Sequence, residues 1–189
     1  MKKQSGAALI VSLVILVIMT IIGLAAIRNS TMQERMASNI IDRQFAFQAA
    51  ESALRAGENT LSQLDEEPIA NASPSASDTL KIWTEDGSID PDHTNTLNWW
   101  HEPNRNRAWW TTFGEPLAGI KFSTDAGEFT LPAPPRYVIE YIDFVKDDVS
   151  LGTGSQSQSG RAYYRITVLG TGASEQSRVM LQSTTAKRY

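Results

Sequence analysis

Twenty-one consecutive residues, 7–27 (AALIVSLVILVIMTIIGLAAI), carry no charge, and Lys2 and Lys3 stand just ahead of them. At about 1.5 Å per residue a helix of that length reaches roughly 31 Å, the thickness of a bilayer's hydrocarbon core. The pattern then changes without a break. Residues 28–64 are rich in Ala, Gln, Glu, Met and Arg, contain no proline and hold Gly57 as their only glycine. Most of these are good helix formers. Ile40, Phe47, Leu54 and Leu61 recur seven apart, and Met36, Ala50, Gly57 and Leu64 make a companion seam that Arg43 interrupts. Glu34, Arg35, Asp42, Glu51, Arg55 and Glu58 lie opposite. This spacing predicts an amphipathic helix with one buried face. Asp65, Glu66, Glu67 and Pro68 predict its end. A straight helix over residues 7–64 would span about 87 Å. A coiled-coil dimer uses the same spacing, but a seam holding Ala50, Gly57 and Arg43 suits packing on a sheet better.

The remainder alternates differently. Residues 68–78 (PIANASPSASD) read as an exposed loop, and residues 79–135 as irregular chain. Residues 137–145 (YVIEYIDFV) alternate apolar and polar types and are rich in β-branched and aromatic side chains, which predicts a strand. Residues 162–169 and 178–184 predict two more, joined by a turn over 170–176, and residues 146–160 predict a polar loop. Ile82 and Trp83, or the Phe129 region, offer a further strand. The expected fold class is therefore α+β: a long N-terminal helix, apolar in its first half, packed on an antiparallel sheet of three to five strands. The expected divisions are a leader at 1–6, a membrane half at 7–27, an amphipathic half at 28–64 and a globular β-rich domain at 65–189.

Composition narrows the function. The 17 basic and 21 acidic residues leave a net charge of −4, which argues against nonspecific nucleic-acid binding. With no cysteine, disulfides, thiolate metal sites and cysteine nucleophiles are excluded. With only His93 and His101, a histidine metal cluster is not expected. No phosphate loop or nucleophile elbow occurs. Glu140 and Asp143, three apart on one strand, are expected on opposite faces, which defeats a carboxylate pair. The reading is no enzyme and no cofactor. Residues 85–92 (EDGSIDPD) alternate Asp86, Ser88, Asp90 and Asp92 like a calcium loop. Pro91 and Leu97 occupy the places of the required glycine and bidentate glutamate, so an acidic turn is the better reading.

Three readings compete for the apolar segment. A cleaved signal peptide has a shorter core, and a plain signal anchor would hold Lys2 and Lys3 inside. The third rests on the leader itself, which is short and basic and ends in Gly6 directly against the apolar run. That leader resembles those of type IV prepilins and type II secretion pseudopilins. The run from Leu24 through Gln33, Glu34, Arg35, Met36 and Ala37, with Phe45, Ala46, Phe47, Gln48, Ala49, Ala50 and Glu51, resembles the N-terminal region of PilX-type minor pilins over residues 5–58.

The resemblance implies cleavage between Gly6 and Ala7 by prepilin peptidase, with N-methylation of Ala7. It implies an inner-membrane protein with a periplasmic C-terminal domain that moves to the pilus tip. There it would prime assembly, packing on other minor pilins and the major pilin through Leu9, Val11, Leu13, Leu16 and Ile18, with a tip adhesin as a further partner. The resemblance implies a pilus for cell adhesion, twitching motility or DNA uptake and leaves these alternatives open. The chain departs from the pilin pattern at Ala7, usually phenylalanine, and at Val11, the fifth mature residue, usually glutamate. Arg28 stands near the usual helix-kinking proline. In the family that glutamate pairs with a neighbour's amine, so its absence implies a subunit at the tip. A minor pseudopilin and a signal-anchored periplasmic binding domain remain as alternatives.

All five tryptophans fall between residues 83 and 110. Trp99, Trp100, Trp109 and Trp110 flank Arg105 and Arg107. Trp and Arg favour partner contacts, and stacked rings also suit a sugar or base. The plainer reading is that these rings pin an irregular insertion onto the sheet.

Overall fold

The structure is a computed structural model that describes residues 7–85, 87–90, 94–124, 127–147 and 159–189. The chain forms two compact units, Met1–Ile41 and Asp42–Tyr189. One hydrogen-bonded helix, α1 (Ala7–Ser62), supplies all the described residues of the first unit and the opening of the second. It stops two residues short of the predicted end, where Leu64 donates to the Leu61 carbonyl in a tight turn.

Within the second unit, five strands make the main sheet: β1 (Ile82–Thr84), β2 (Glu115–Pro116), β5 (Arg136–Lys146), β6 (Gly160–Thr171) and β7 (Arg178–Arg188). The order is β1-β5-β6-β7, with β2 also on β5. A separate hairpin joins β3 (Lys121–Thr124) and β4 (Gly127–Thr130). The three long predicted strands are present, and both optional ones form, Ile82 and Trp83 in the main sheet and Phe129 in the hairpin. One departure from expectation stands out. β1 runs parallel to β5, so the sheet is mixed rather than wholly antiparallel.

The sheet is covered on both faces. On one lies the second-unit part of α1, over Ile82, Ile139, Ala162, Tyr164, Ile166 and Val168. The helix side of that contact is made of Ala46, Ala49, Ala50, Ala53, Gly57 and Leu61, all buried. These recur every three or four residues, a helical stripe of small side chains. Leu54 and Leu64 pack at its margin. The predicted seven-residue seam is thus corrected at Met36, Ile40 and Phe47, which are exposed. A true 3.6-residue period drifts away from a seven-residue one, and close approach selects alanine and glycine over larger residues. At Gly57 an added Cβ would lie 2.9 Å from Ile166 Cγ2, and at Gly170 only 2.6 Å from the Ala50 amide nitrogen.

The second face carries another core. Trp83, Ile89, Trp99, Trp110 and Val138 are buried together, with Trp100, Trp109, Phe113, Leu169 and Met180 packed around them. Strand alternation explains the division. Ile82 and Ile139 face α1, whereas their neighbours Trp83 and Val138 face the tryptophan layer.

Candidate assembly surface

Leu9, Val11, Leu13, Leu16 and Ile18 lie on the apolar part of α1 and are 51–69% exposed. The apolar character runs around the whole helix, which suits hydrocarbon on every side. The only polar side chains between residues 7 and 27 are Ser12 and Thr20. Ser12 Oγ donates to the Leu9 carbonyl at 2.9 Å and Thr20 Oγ1 to the Val17 carbonyl at 2.8 Å. Each hydroxyl proton is therefore bonded within the helix, as a medium without water requires. α1 passes Gly23 and Arg28 without a break, in keeping with the missing proline. Its first turn holds no acidic residue. Ala7 is its first residue, and Gly6 with the rest of residues 1–6 lies outside the described residues.

In the second unit, Asp42 of α1 reaches the turn between β6 and β7. Its carboxylate accepts from the Ser174 amide at 3.0 Å and from the Ser174 hydroxyl. Burial raises its pKa, but the bonds from Ser174 and the Ala173 amide outweigh that and hold it below the usual carboxylate range. The far end of α1 lacks a basic residue in its last turn. Lys187 of β7 replaces it: Nζ donates to the carbonyls of Leu61 at 2.7 Å, Ser62 at 3.0 Å and Leu64. A cation on the last carbonyls of the helix satisfies both the bonds and the helix dipole.

The tryptophan layer is built around α2 (Arg107–Phe113). Asn106 caps this helix, its Oδ1 accepting from the Trp109 amide at 3.1 Å. Sequence reading missed α2, although Asn106 before RAWWTTF and Gly114 after it are start and stop signals. Trp109 packs at 5.4 Å from Trp99, 5.9 Å from Trp83 and 5.5 Å from Phe113, centroid to centroid. Arg105 sits over Trp109, its Cζ 4.5 Å from the ring, and donates to the carbonyls of Ser88 and Ile89. Trp99 and Trp110 are 4% and 2% exposed, so their rings fasten this segment to the sheet. Trp100 and Trp109 are half-buried and keep an edge at the surface.

Glu140 is a buried carboxylate beside this layer. It is 1% exposed, 3.6 Å from Arg165 Nη1, and accepts from Thr167 Oγ1 at 3.5 Å. Burial pushes its pKa up to about 7, against the pull of the Trp99 indole and Arg165. The Trp99 indole N–H approaches without closing a hydrogen bond, and among the described residues the buried Nε1 atoms of Trp83 and Trp99 have no partner. The expected separation of Glu140 and Asp143 onto opposite faces is corrected. An irregularity at Ile142 shifts the register, so Glu140 pairs with Arg165 and Asp143 with Tyr163, residues of one face. Glu140 is buried and Asp143 exposed, so they still do not form an acid–base pair. Of the acidic turn, Asp86, Pro91 and Asp92 lie outside the described residues.

An unbroken apolar helix leading into a small-residue contact with a sheet is the arrangement that the resemblance to pilins implied. Comparison with known families decides which. The PilX N-terminal family matches residues 5–55, and the type IV pilus assembly protein PilX C-terminal family matches residues 56–187. The chain belongs to the PilX family. The resemblance read over residues 5–58 thus extends through the sheet and the tryptophan layer. No curated protein and no solved structure matches. As a PilX-family member the chain is a type IV pilus assembly minor pilin, a structural pilus component that interacts with other pilus subunits. Its apolar helix fits membrane anchoring.

Proposed function

We propose that this minor pilin is cut between Gly6 and Ala7 by prepilin peptidase and methylated at Ala7. Residues 7–27 then hold it in the inner membrane, with residues 65–189 in the periplasm, until it enters the pilus. There it primes assembly at or near the tip. The observation that supports this reading is a helix apolar on all sides with Val11, not a carboxylate, at the fifth mature position. A charge in hydrocarbon costs several kcal/mol unless paired. A subunit without that carboxylate cannot neutralise a neighbour's amine, so it fits where no neighbour asks for it. Leu9, Leu13, Leu16 and Ile18 pack on the other subunits, since hydrocarbon and filament interior ask for the same surface. The exposed edges of Trp100 and Trp109 add a contact with a neighbouring pilin or a tip adhesin, while Trp99 and Trp110 hold them from behind.

N-terminal sequencing of the protein isolated from membranes tests the reading. The expected first residue is N-methylated Ala7. An intact Met1, or a start near Ile27, overturns it.

A further inference from the structure

The two edges of the main sheet are built differently. At one edge, β5 is covered by the short strands β1 and β2. β1 is covered in turn by Asn71, which bonds Ile82 and Thr84, and by Gly87, which donates to the Thr84 carbonyl. At the other edge stands β7, eleven residues paired to β6 with no shift in register. Proteins usually blunt such an edge with a charge, a proline or a bulge. Here residues 179–186 (VMLQSTTA) contain none of these. Charges stand only at the ends, Arg178 and Lys187 with Arg188, and Lys187 is engaged on α1.

The direction of the free groups follows from the ladder. Gly160 and Tyr189 exchange both backbone bonds, and the Gly172 amide donates to the Ser177 carbonyl. Narrow pairs alternate with wide ones, so Val179, Leu181, Ser183 and Thr185 spend their backbone groups on β6. Arg178, Met180, Gln182, Thr184, Ala186 and Arg188 turn theirs outward. Among the described residues no backbone bond reaches that outward row.

We infer that the outer edge of β7 is a docking edge that takes an extended strand of a different pilus subunit, with carboxylates at the strand's ends. The occupant is not a second copy of this chain. Two β7 strands paired antiparallel in full overlap would set Arg178 of each opposite Arg188 of the other, and like charges directly opposite are destabilising. Arg188 already holds Asp147 at 2.8 Å, which shows the carboxylate geometry that end accepts. Main-chain bonds supply the affinity in such strand addition, and the flanking charges supply the choice of partner. This rests on the reading that the chain assembles with other pilins.

The test uses the full chain co-expressed with the other minor pilins of the same pilus and purified in detergent. Thr184→Pro removes one outward N–H and leaves the β6 ladder intact. It should lower recovery of the partner about tenfold, the loss of about one backbone hydrogen bond, with the melting curve retained. Amide hydrogen exchange of the unaltered protein gives the same answer without a substitution. On complex formation the amides of Met180, Gln182, Thr184 and Ala186 should slow at least about tenfold, while those of Leu181 and Ser183 are slow throughout. Unchanged exchange in the outward row, a folded Thr184→Pro variant with full recovery, or a β7–β7 pair between copies overturns the inference. A chain that recovers no other pilin at all sinks the assembly reading instead.

Discussion

Single residues set how closely α1 approaches the sheet. A Cβ at Gly170 would meet backbone, the Ala46 carbonyl and the Ala50 amide, neither of which can rotate away. Gly170→Ala should therefore cost roughly 3 kcal/mol or more and lower the melting temperature by at least about 6 °C. At Gly57 the obstructing atoms belong to the side chains of Ile166 and Tyr137, which can yield. There the better helix propensity of alanine offsets about 1 kcal/mol, so Gly57→Ala should melt within about 3 °C of the parent. Equal losses at the two sites would refute this account. Glu140 makes the second case. Its pKa stands at about 7 in the folded protein because of burial, above the unfolded range near 4.3. Protonated Glu140 is thus favoured by folding. Its contribution, roughly 3–4 kcal/mol, is complete below pH 4 and is lost as pH rises through 7. Glu140→Gln should be the more stable protein at pH 8 and gain nothing at pH 4, as read by thermal melts across that range. A variant difference that ignored pH would remove the argument.

At the scale of elements, α1 and β7 hold each other through Lys187. Lys187→Met keeps the aliphatic stem but strips the Ser62 and Leu64 carbonyls of their donor and leaves the Leu61 carbonyl with the Leu64 amide alone. The expected cost is about 1.5–3 kcal/mol, with faster hydrogen exchange at Gln63 and Leu64 and partial rescue by arginine. Unchanged exchange there would show that solvent serves those carbonyls equally well. The elements themselves were legible in the sequence to different degrees. α1 and the three long strands carry their periods over many residues, so their type and order could be read. The buried stripe of α1 could not, because Phe47 and Ile40 look like core residues and Ala46, Ala49 and Ala53 do not. Only the distance to Gly170 and Ile166 tells the small residues that they are the interface. The parallel pairing of β1 with β5 joins residues more than fifty positions apart, and no local pattern encodes it. The register shift at Ile142 is equally silent, and it moved Asp143 to the face that simple alternation denies it. Within the candidate surface, the apolar helix was plain, and the tryptophan layer was readable as rings that pin a segment on the sheet but not as one built around the helix α2.

For the whole molecule, the apolar helix, the sheet and the tryptophan layer answer to separate demands. In the proposed assembly residues 7–27 suit hydrocarbon and a filament interior alike, and residue 11 would decide which neighbours are tolerated. Val11→Glu is expected to leave processing intact and to change the set of minor pilins recovered with the chain. Pull-downs and piliation identical to the parent would count against a tip position. The Lys187 contact carries a different implication, one of timing. The Leu64 carbonyl waits for a donor 123 positions downstream. At the pace of synthesis that interval is on the order of ten seconds. Throughout it the helix is already made while its last turn lacks the cation, so a half-made chain differs from a finished one at the end of α1 that Lys187 reaches.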